Sequence, residues 1–331
     1  MLQSNADHNT GSLIRQGLPS ITESAVVPAL IENAGSDTKR RYVEFFTANI
    51  SNPNTRAAYL RAVVRFCDWC DVRKVTLDQT EPTLIALYVA ELNATHSRPT
   101  VKQHLAAIRM LFDYFVTGGL LRSNPASSVR GPKHVVVKGK TPVLQPHDAR
   151  HLLYSISTDT IVGLRDRALI ALMLYTFARI GAAVAVDTDD IFVNGRRYFV
   201  RLREKGGRQH EMPLHHTAEE TVLAYMDAAD LHNQKRMPLF RTVDRKRNLT
   251  ETRMLRQDAL SMVKRRARDA GLGSSICCHT MRASGITAYM MNGGTLERAQ
   301  QMAAHASSRT TSLYNRANDS VTLDEVERIL I

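Results

Sequence analysis

The chain has 331 residues, more than one ordinary domain and suited to about two. Its apolar content of 44% is enough for sizeable cores. Lysine and arginine number 44 against 32 aspartate and glutamate, and this net charge of +12 favours a polyanionic partner, nucleic acid before a membrane surface. No apolar run approaches the roughly 18 residues of a spanning helix, so no membrane partner is expected. The opening "MLQSNADHNTGSLIRQG" lacks a charged segment followed by an apolar one, so no signal peptide is expected, and a soluble cytoplasmic protein is the default expectation.

Residues 1–35 are polar and weakly periodic and read as a flexible arm. A helical domain is expected over 36–130. It opens at "SDTKRRYVEFFTANI", where Ser36 or Asp37 can cap a helix. In "NPNTRAAYLRAVVRFCDWCDVR", Asn54 is the expected cap and Tyr59, Val63, Phe66 and Cys70 recur at helical spacing, with Arg56, Arg61 and Arg65 on other faces. "TEPTLIALYVAELNAT" reads as the third helix, with Pro82 acceptable in its first turn. "RPTVKQHLAAIRMLFDYFVTGG" reads as the fourth, ended by Gly118 and Gly119. The CxxC of Cys67 and Cys70 lies inside a helical apolar pattern with no second CxxC, so core thiols are expected there rather than a zinc site.

The stretch 131–145, within "GPKHVVVKGKTPVLQP", has no helical pattern and reads as a basic linker. A second domain is expected over 146–331, mainly α with a small antiparallel sheet. Helices are read in "QPHDARHLLYSI" and "TIVGLRDRALIALMLYTFARIGAAVAV". The period then changes: Tyr198, Val200 and Leu202 alternate with Phe199, Arg201 and Arg203, "EKGGRQ" supplies a turn, and "HEMPL" returns as a β-hairpin. "TAEETVLAYMDAAD", "QDALSMVKRRARDAG", "HTMRASGITAYMMNGG" and "LERAQQMAAHA" are read as further helices. The tail "SVTLDEVERILI" places Leu323, Val326 and Leu330 on one helical face.

Six residues could carry chemistry. His279 and Arg282 are three apart and share a helix face, an awkward pairing unless both point at an anion such as phosphate. A capping histidine and a surface arginine are the plainer alternative. Arg179 ends a strongly apolar segment, where a charge is costly unless paired, aimed into a cleft or reaching solvent. Lys205 sits at the hairpin tip, solvated or reaching a nucleic-acid groove, with a tunable ammonium that can act as a proton donor. His305 precedes Tyr314 by nine residues in "MAAHASSRTTSLYNR". A phenol is a poor nucleophile near neutral pH, and becomes competent when cations stabilise both the phenolate and an attacked phosphate. That makes sense of a tyrosine set between Arg309 and Arg316.

Taken in order, "FARIG", "REKGGRQHEMPL", "HTMRASGITAYMMNGG" and "MAAHASSRTTSLYNR" resemble the motifs of the tyrosine recombinase (phage integrase) family. "NTRAAYLRAVVRFCDWC" and "TVKQHLAAIRMLFDYFV" resemble its core-binding domain, and the likeness covers roughly residues 36–330. The resemblance implies that Arg179 and Arg282 clamp a scissile DNA phosphate with His305 as a further donor. It implies that Tyr314 attacks phosphorus to leave a 3′-phosphotyrosyl link, that Lys205 protonates the leaving 5′-oxygen, and that His279 assists proton transfer. It implies no nucleotide or metal cofactor, and as partners double-stranded DNA with a specific target site and further copies of the chain, a dimer on a site and a tetramer in synapsis. Accessory proteins, and the choice among integration, transposition and dimer resolution, stay open.

Arg56, Arg61, Arg65, Lys102, Arg109, Lys133, Lys138 and Lys140 are the candidate DNA contacts. From periodicity alone the tail can pack on its own domain; the resemblance implies instead that it docks on a neighbouring protomer, and it implies a protein at the bacterial nucleoid. One position departs from the pattern: the family often has an acid three residues after the first arginine, where this chain has Ala182, with Asp187 the nearest acid downstream. A type IB topoisomerase-like relaxing enzyme and a non-catalytic DNA-binding regulator are the alternatives.

Overall fold

The structure, a computed structural model, describes residues 27–134, 141–204, 207–305 and 307–314. The chain divides into two units between residues 135 and 136. Lys138, Lys140, Lys205, Arg316 and the tail with Leu323, Val326 and Leu330 lie outside the described residues.

The first unit is helical: α1 (Ala29–Glu32), α2 (Ser36–Glu44) running on into a wide π turn at Phe45–Asn49, α3 (Pro53–Val72), α4 (Pro82–Thr95) and α5 (Arg98–Thr117). Proline sets the start of α3 and of α4, because its fixed φ suits the first turn and its missing N–H is not needed there. The cap of α3 is therefore Asn52, not the expected Asn54: its side-chain oxygen accepts from the main-chain N–H groups of Asn54 and Thr55 at 2.9 and 3.2 Å. Val63, Phe66 and Cys70 of α3 pack with Ile85 and Tyr88 of α4 and with Ile108, Phe112 and Phe115 of α5. Tyr59 is only half-buried.

This core starts earlier than expected. Leu30 and Ile31, read as part of an arm, are buried in it, since α1 packs on α3. Cys67 and Cys70 are free thiols in the same core, and burial pushes both pKa values up, that of Cys70 to about 12. Two of the candidate DNA contacts turn inward. Arg56 donates through Nε and Nη2 to the Ile50 carbonyl at 3.0 and 2.8 Å, and Arg109 donates to the carbonyls of Ala126 and Val129. Each closes a loop onto its helix while staying half-exposed. Arg61, Arg65, Lys102 and Lys133 are exposed, with Arg65 against the His96 ring.

The second unit is built around α7 (Ile161–Thr176), whose residues Ala168 to Met173 are all fully buried. Such a helix is apolar on all sides because it is covered on all sides. Around it lie α6 (Pro146–Tyr154), α8 (Ile180–Val184), α9 (His216–Ala228), α10 (Arg256–Asp269), α11 (Cys278–Met291), α12 (Leu296–Met302) and α13 (Ser308–Ser312). A three-stranded antiparallel sheet runs β1 (Ile191–Asn194), β2 (Arg197–Arg203), β3 (Gln209–Pro213), with Val200 opposite Met212 and Leu202 opposite His210. The expected hairpin is β2–β3. The sequence reading missed β1 and a second sheet, β4 (Arg241–Val243) with β5 (Leu249–Arg253), both made of short strands with weak alternation.

The long apolar stretch 160–186, expected to be one helix, is broken. Phe177 adopts a left-handed φ of 56°, and the chain then runs extended to Arg179, which caps α8. That conformation costs a non-glycine residue roughly 1–2 kcal/mol. Packing offsets it: the Phe177 ring is buried with Ile286, Ala299 and Ala303, and its carbonyl accepts from the Arg282 guanidinium. Gly285 allows the approach. A Cβ there would lie 2.0 Å from the Leu174 carbonyl oxygen and 2.8 Å from the Phe177 ring. Glycine to alanine inside a helix normally stabilises by up to about 1 kcal/mol. Here Gly285→Ala is expected to destabilise by about 1–3 kcal/mol, read as a lower Tm, because α11 must move off α7. A higher Tm would show that the two helices are not held this close.

Candidate active site

The site grows from the break after α7. Arg179 stands at the extended start of α8, its side chain about one-third exposed. Its Nη1 donates to Glu204 Oε2 at 2.5 Å, and its main-chain N–H reaches Oε1 of the same carboxylate at 3.4 Å. Arg282, on α11, is 1% exposed. It donates through Nη1 to the Phe177 carbonyl and through Nη2 to the Ala303 carbonyl at 2.6 Å, and Nη1 lies 4.0 Å from Glu204 Oε1. Burial and the charge of Arg179 push its pKa down to about 10, against the opposing pull of Glu204 and Tyr314, so it stays a cation at neutral pH.

His279 precedes Arg282 by one turn in α11. Partial burial and the two arginines hold its pKa below the ordinary imidazole value. His305 lies just beyond α12 and is 6% exposed. Its main-chain N–H donates to the Gln300 carbonyl at 3.1 Å, the Gln300 side chain donates back to the His305 carbonyl at 3.2 Å, and its Nδ1 is 2.8 Å from the Thr311 hydroxyl. Burial, then Arg282, Arg179 and His279, press its pKa down to about 4, so the ring is neutral. In the tautomer in which Nδ1 accepts from Thr311, Nε2–H is the remaining donor.

Tyr314 follows α13. Its ring is parallel to that of His305, with centroids 6.0 Å apart, and it packs on the Phe177 and Ile286 cluster. Its main chain is held twice: the N–H donates to the Thr311 carbonyl at 2.9 Å, and the Thr287 hydroxyl of α11 donates to the Tyr314 carbonyl at 3.1 Å. Five of the six residues singled out in the sequence thus meet in one cluster, from α8, α11 and the segments around α12 and α13. The sixth, Lys205, lies outside the described residues, directly after Glu204.

Glu204 is the residue the sequence reading missed. The signal was the alternation of β2: Val200 and Leu202 point inward, and the next inward position is 204. Its N–H donates to the Arg208 carbonyl at 2.7 Å, carrying the β2–β3 pairing one residue past the strand end. His210, opposite Leu202, lies near the same carboxylate; burial lowers its pKa and Glu204 opposes. Ala182 is buried in α8, and Asp187 is committed elsewhere, to Arg253 and to Arg203 at 3.6 Å.

Two fixed cations, two imidazoles that resist protonation and a half-buried phenol make a cluster chemically able to hold an oxyanion beside a phenol oxygen. Among the described residues no three His, Cys, Asp or Glu side chains gather as a metal site, and no helix is long and apolar enough to cross a membrane.

Comparison with known proteins places this arrangement. The tyrosine recombinase XerD of Listeria monocytogenes is 28% identical over 264 residues, covering 79% of this chain and 87% of the relative. The XerH site-specific recombinase bound to a palindromic difH substrate shares the fold with a TM-score of 0.70 at 19% identity, covering 90% of this chain and 86% of that one. A lambda integrase dimer bound to a COC′ core site gives a TM-score of 0.64 at 15% identity, over 86% of this chain and 79% of the other. Residues 41–119 match the N-terminal SAM-like domain of phage integrases, and residues 142–320, more than half of the chain, match the phage integrase family itself. The chain therefore belongs to the phage integrase family.

Proposed function

We infer that the chain is a site-specific DNA recombinase that cuts and rejoins strands through a covalent phosphotyrosyl intermediate. The observation that carries this reading is the meeting of Arg179, Arg282, His305 and Tyr314 in one pocket. A scissile phosphate would be held by the two arginines, with His305 Nε2–H as a further donor. Tyr314 Oη attacks phosphorus, the bond from phosphorus to the 5′-oxygen breaks, and that oxygen leaves with a proton. The strand end is then held as a 3′-phosphotyrosine, and attack by a 5′-hydroxyl from another strand reverses the chemistry and frees Tyr314. The phosphodiester's energy is kept in the link, so no nucleotide is consumed. Lys205 donates the proton to the leaving oxygen and His279 helps place the phosphate.

A duplex with a specific site and further copies of the chain are the partners, one copy on each half-site and four in synapsis. The DNA-bound XerH and lambda integrase dimer complexes support this. The surplus of basic residues fits the same partner, and the bacterial nucleoid is where it would be met. Arg56, Arg61, Arg65, Lys102, Arg109, Lys133, Lys138 and Lys140 are the proposed phosphate contacts outside the site, Arg56 and Arg109 with part of each guanidinium already on main-chain carbonyls.

Tyr314→Phe removes only the hydroxyl, so it is expected to bind DNA like wild type and to cleave none of it; a mutant that still forms a covalent adduct on a nicked suicide substrate would place the nucleophile elsewhere. Lys205→Ala is expected to slow cleavage by about 10²–10⁴-fold, and a 5′-thiolate leaving group, which needs no proton, to restore most of the rate. Equal defects on both substrates would make Lys205 a binding residue.

His305 adds a pH dependence. Its folded pKa of about 4 lies below the unfolded value of roughly 6.5. The unfolded chain thus binds more protons between these values, and the stability linked to the neutral ring is present above pH 6.5 and lost as pH falls towards 4. The Tm difference between wild type and His305→Gln, measured without DNA, is expected to shrink in wild type's disfavour across that window. A difference independent of pH would mean that His305 does not titrate this way.

A further inference from the structure

We propose that Glu204 is the positioning residue of this site: one buried carboxylate orients both of the arginines proposed to bind the phosphate. The proposal rests on the recombinase reading of the pocket and goes beyond it, because the acid comes from the sheet and not from position 182, where it was expected.

The geometry carries it. The Glu204 side chain is 1% exposed, and a carboxylate so buried is strongly unfavourable without cationic partners. Its neighbours on the inward face of β2, Val200 and Leu202, show that the fold accepts apolar side chains along this line. The carboxylate at 204 is matched instead to two arginines. Oε2 takes the Arg179 head at 2.5 Å, while Oε1 lies 3.4 Å from the Arg179 main-chain nitrogen and 4.0 Å from Arg282 Nη1. One group therefore fixes Arg179 at both its backbone and its head. It also offsets the repulsion between two cations that have to stand together before any phosphate arrives.

The sequence position adds a second constraint. Glu204 is held from its main chain by the bond to the Arg208 carbonyl and from its side chain by the arginines. The next peptide bond leads to Lys205. Ala182, buried in α8, leaves the orientation of the arginines to Glu204, and Asp187 is occupied by Arg203 and Arg253.

The test separates orientation from binding. Glu204→Gln keeps the shape and removes the charge. Its loss takes a negative group away from the phosphate pocket, so the Kd for full-site DNA is expected to stay equal or tighten, while single-turnover cleavage at saturating DNA slows by about 10²-fold through misplaced arginines. A 5′-thiolate substrate is expected to restore little, because the arginines act on the phosphate itself. Glu204→Asp, which keeps the charge but is one methylene shorter, is expected to fall between the two; it carries the same measurements if Glu204→Gln does not fold. Wild-type cleavage by Glu204→Gln, or binding and cleavage that weaken in step, would overturn the proposal. A wild-type protein that forms no adduct would instead overturn the recombinase reading, and the Kd comparison, which needs no cleavage, would still judge Glu204.

Discussion

Two guanidinium groups cannot stand together in a largely buried pocket without an anion to hold them. In this chain Arg179 and Arg282 do so through Glu204, and much of the second unit serves that contact. The left-handed turn at Phe177 ends α7 early and sends the chain back to present Arg179 at the start of α8. The same turn exposes the carbonyl that takes Arg282 Nη1. Gly285 lets α11 lie close enough for that bond to form. A single irregularity in a buried helix thus sets the positions of both cations, and its cost is offset by the bonds it makes available.

The electrostatics of the neighbours follow from the pair. Burial first, and then the two fixed positive charges beside them, make His279 and His305 resist protonation, so the fixed charges of the described cluster are those of the two arginines and of the Glu204 carboxylate. In the tautomer in which His305 Nδ1 accepts from Thr311, Nε2–H stays a donor, and Thr311 also holds the main chain of Tyr314. Tyr314 and the histidine beside it are therefore oriented by one threonine, with Thr287 bracing the tyrosine from α11. Orientation in this pocket comes from such shared donors and acceptors, which fix the groups before substrate arrives.

What could be read from the sequence was what depends on local pattern. Val63, Phe66 and Cys70 mark the buried face of α3, and the alternation through Val200 and Leu202 marks β2, because periodicity reports directly on which side is covered. Arg179, His279, Arg282, His305 and Tyr314 each admitted a plain structural reading alone, and could be picked out because their order and local motifs together resemble those of the phage integrase family. What stayed hidden depends on contacts distant in sequence. The Phe177 turn has no glycine or proline to announce it, since its support comes from Arg282 and Ile286, more than 100 residues away. Arg56 and Arg109 look like surface cations until the carbonyls of Ile50, Ala126 and Val129 are seen to take them. Leu30 and Ile31 are too few to show a period, yet they complete the first core. Glu204 was hidden in another way: the alternation of β2 marks position 204 as inward, but an acid in a basic hairpin reads as a solvated partner, and the arginines it meets are distant in sequence.

The central claim is that this cluster is a phosphoryl-transfer site with Tyr314 as its nucleophile. Its most direct measurement is proteolysis of the covalent complex trapped on a nicked target duplex, followed by mass spectrometry of the peptide that keeps the nucleotide. A nucleotide joined through its 3′-phosphate to the Tyr314 side chain is the expected result. An adduct on any other residue, or one joined through a 5′-phosphate, would contradict it.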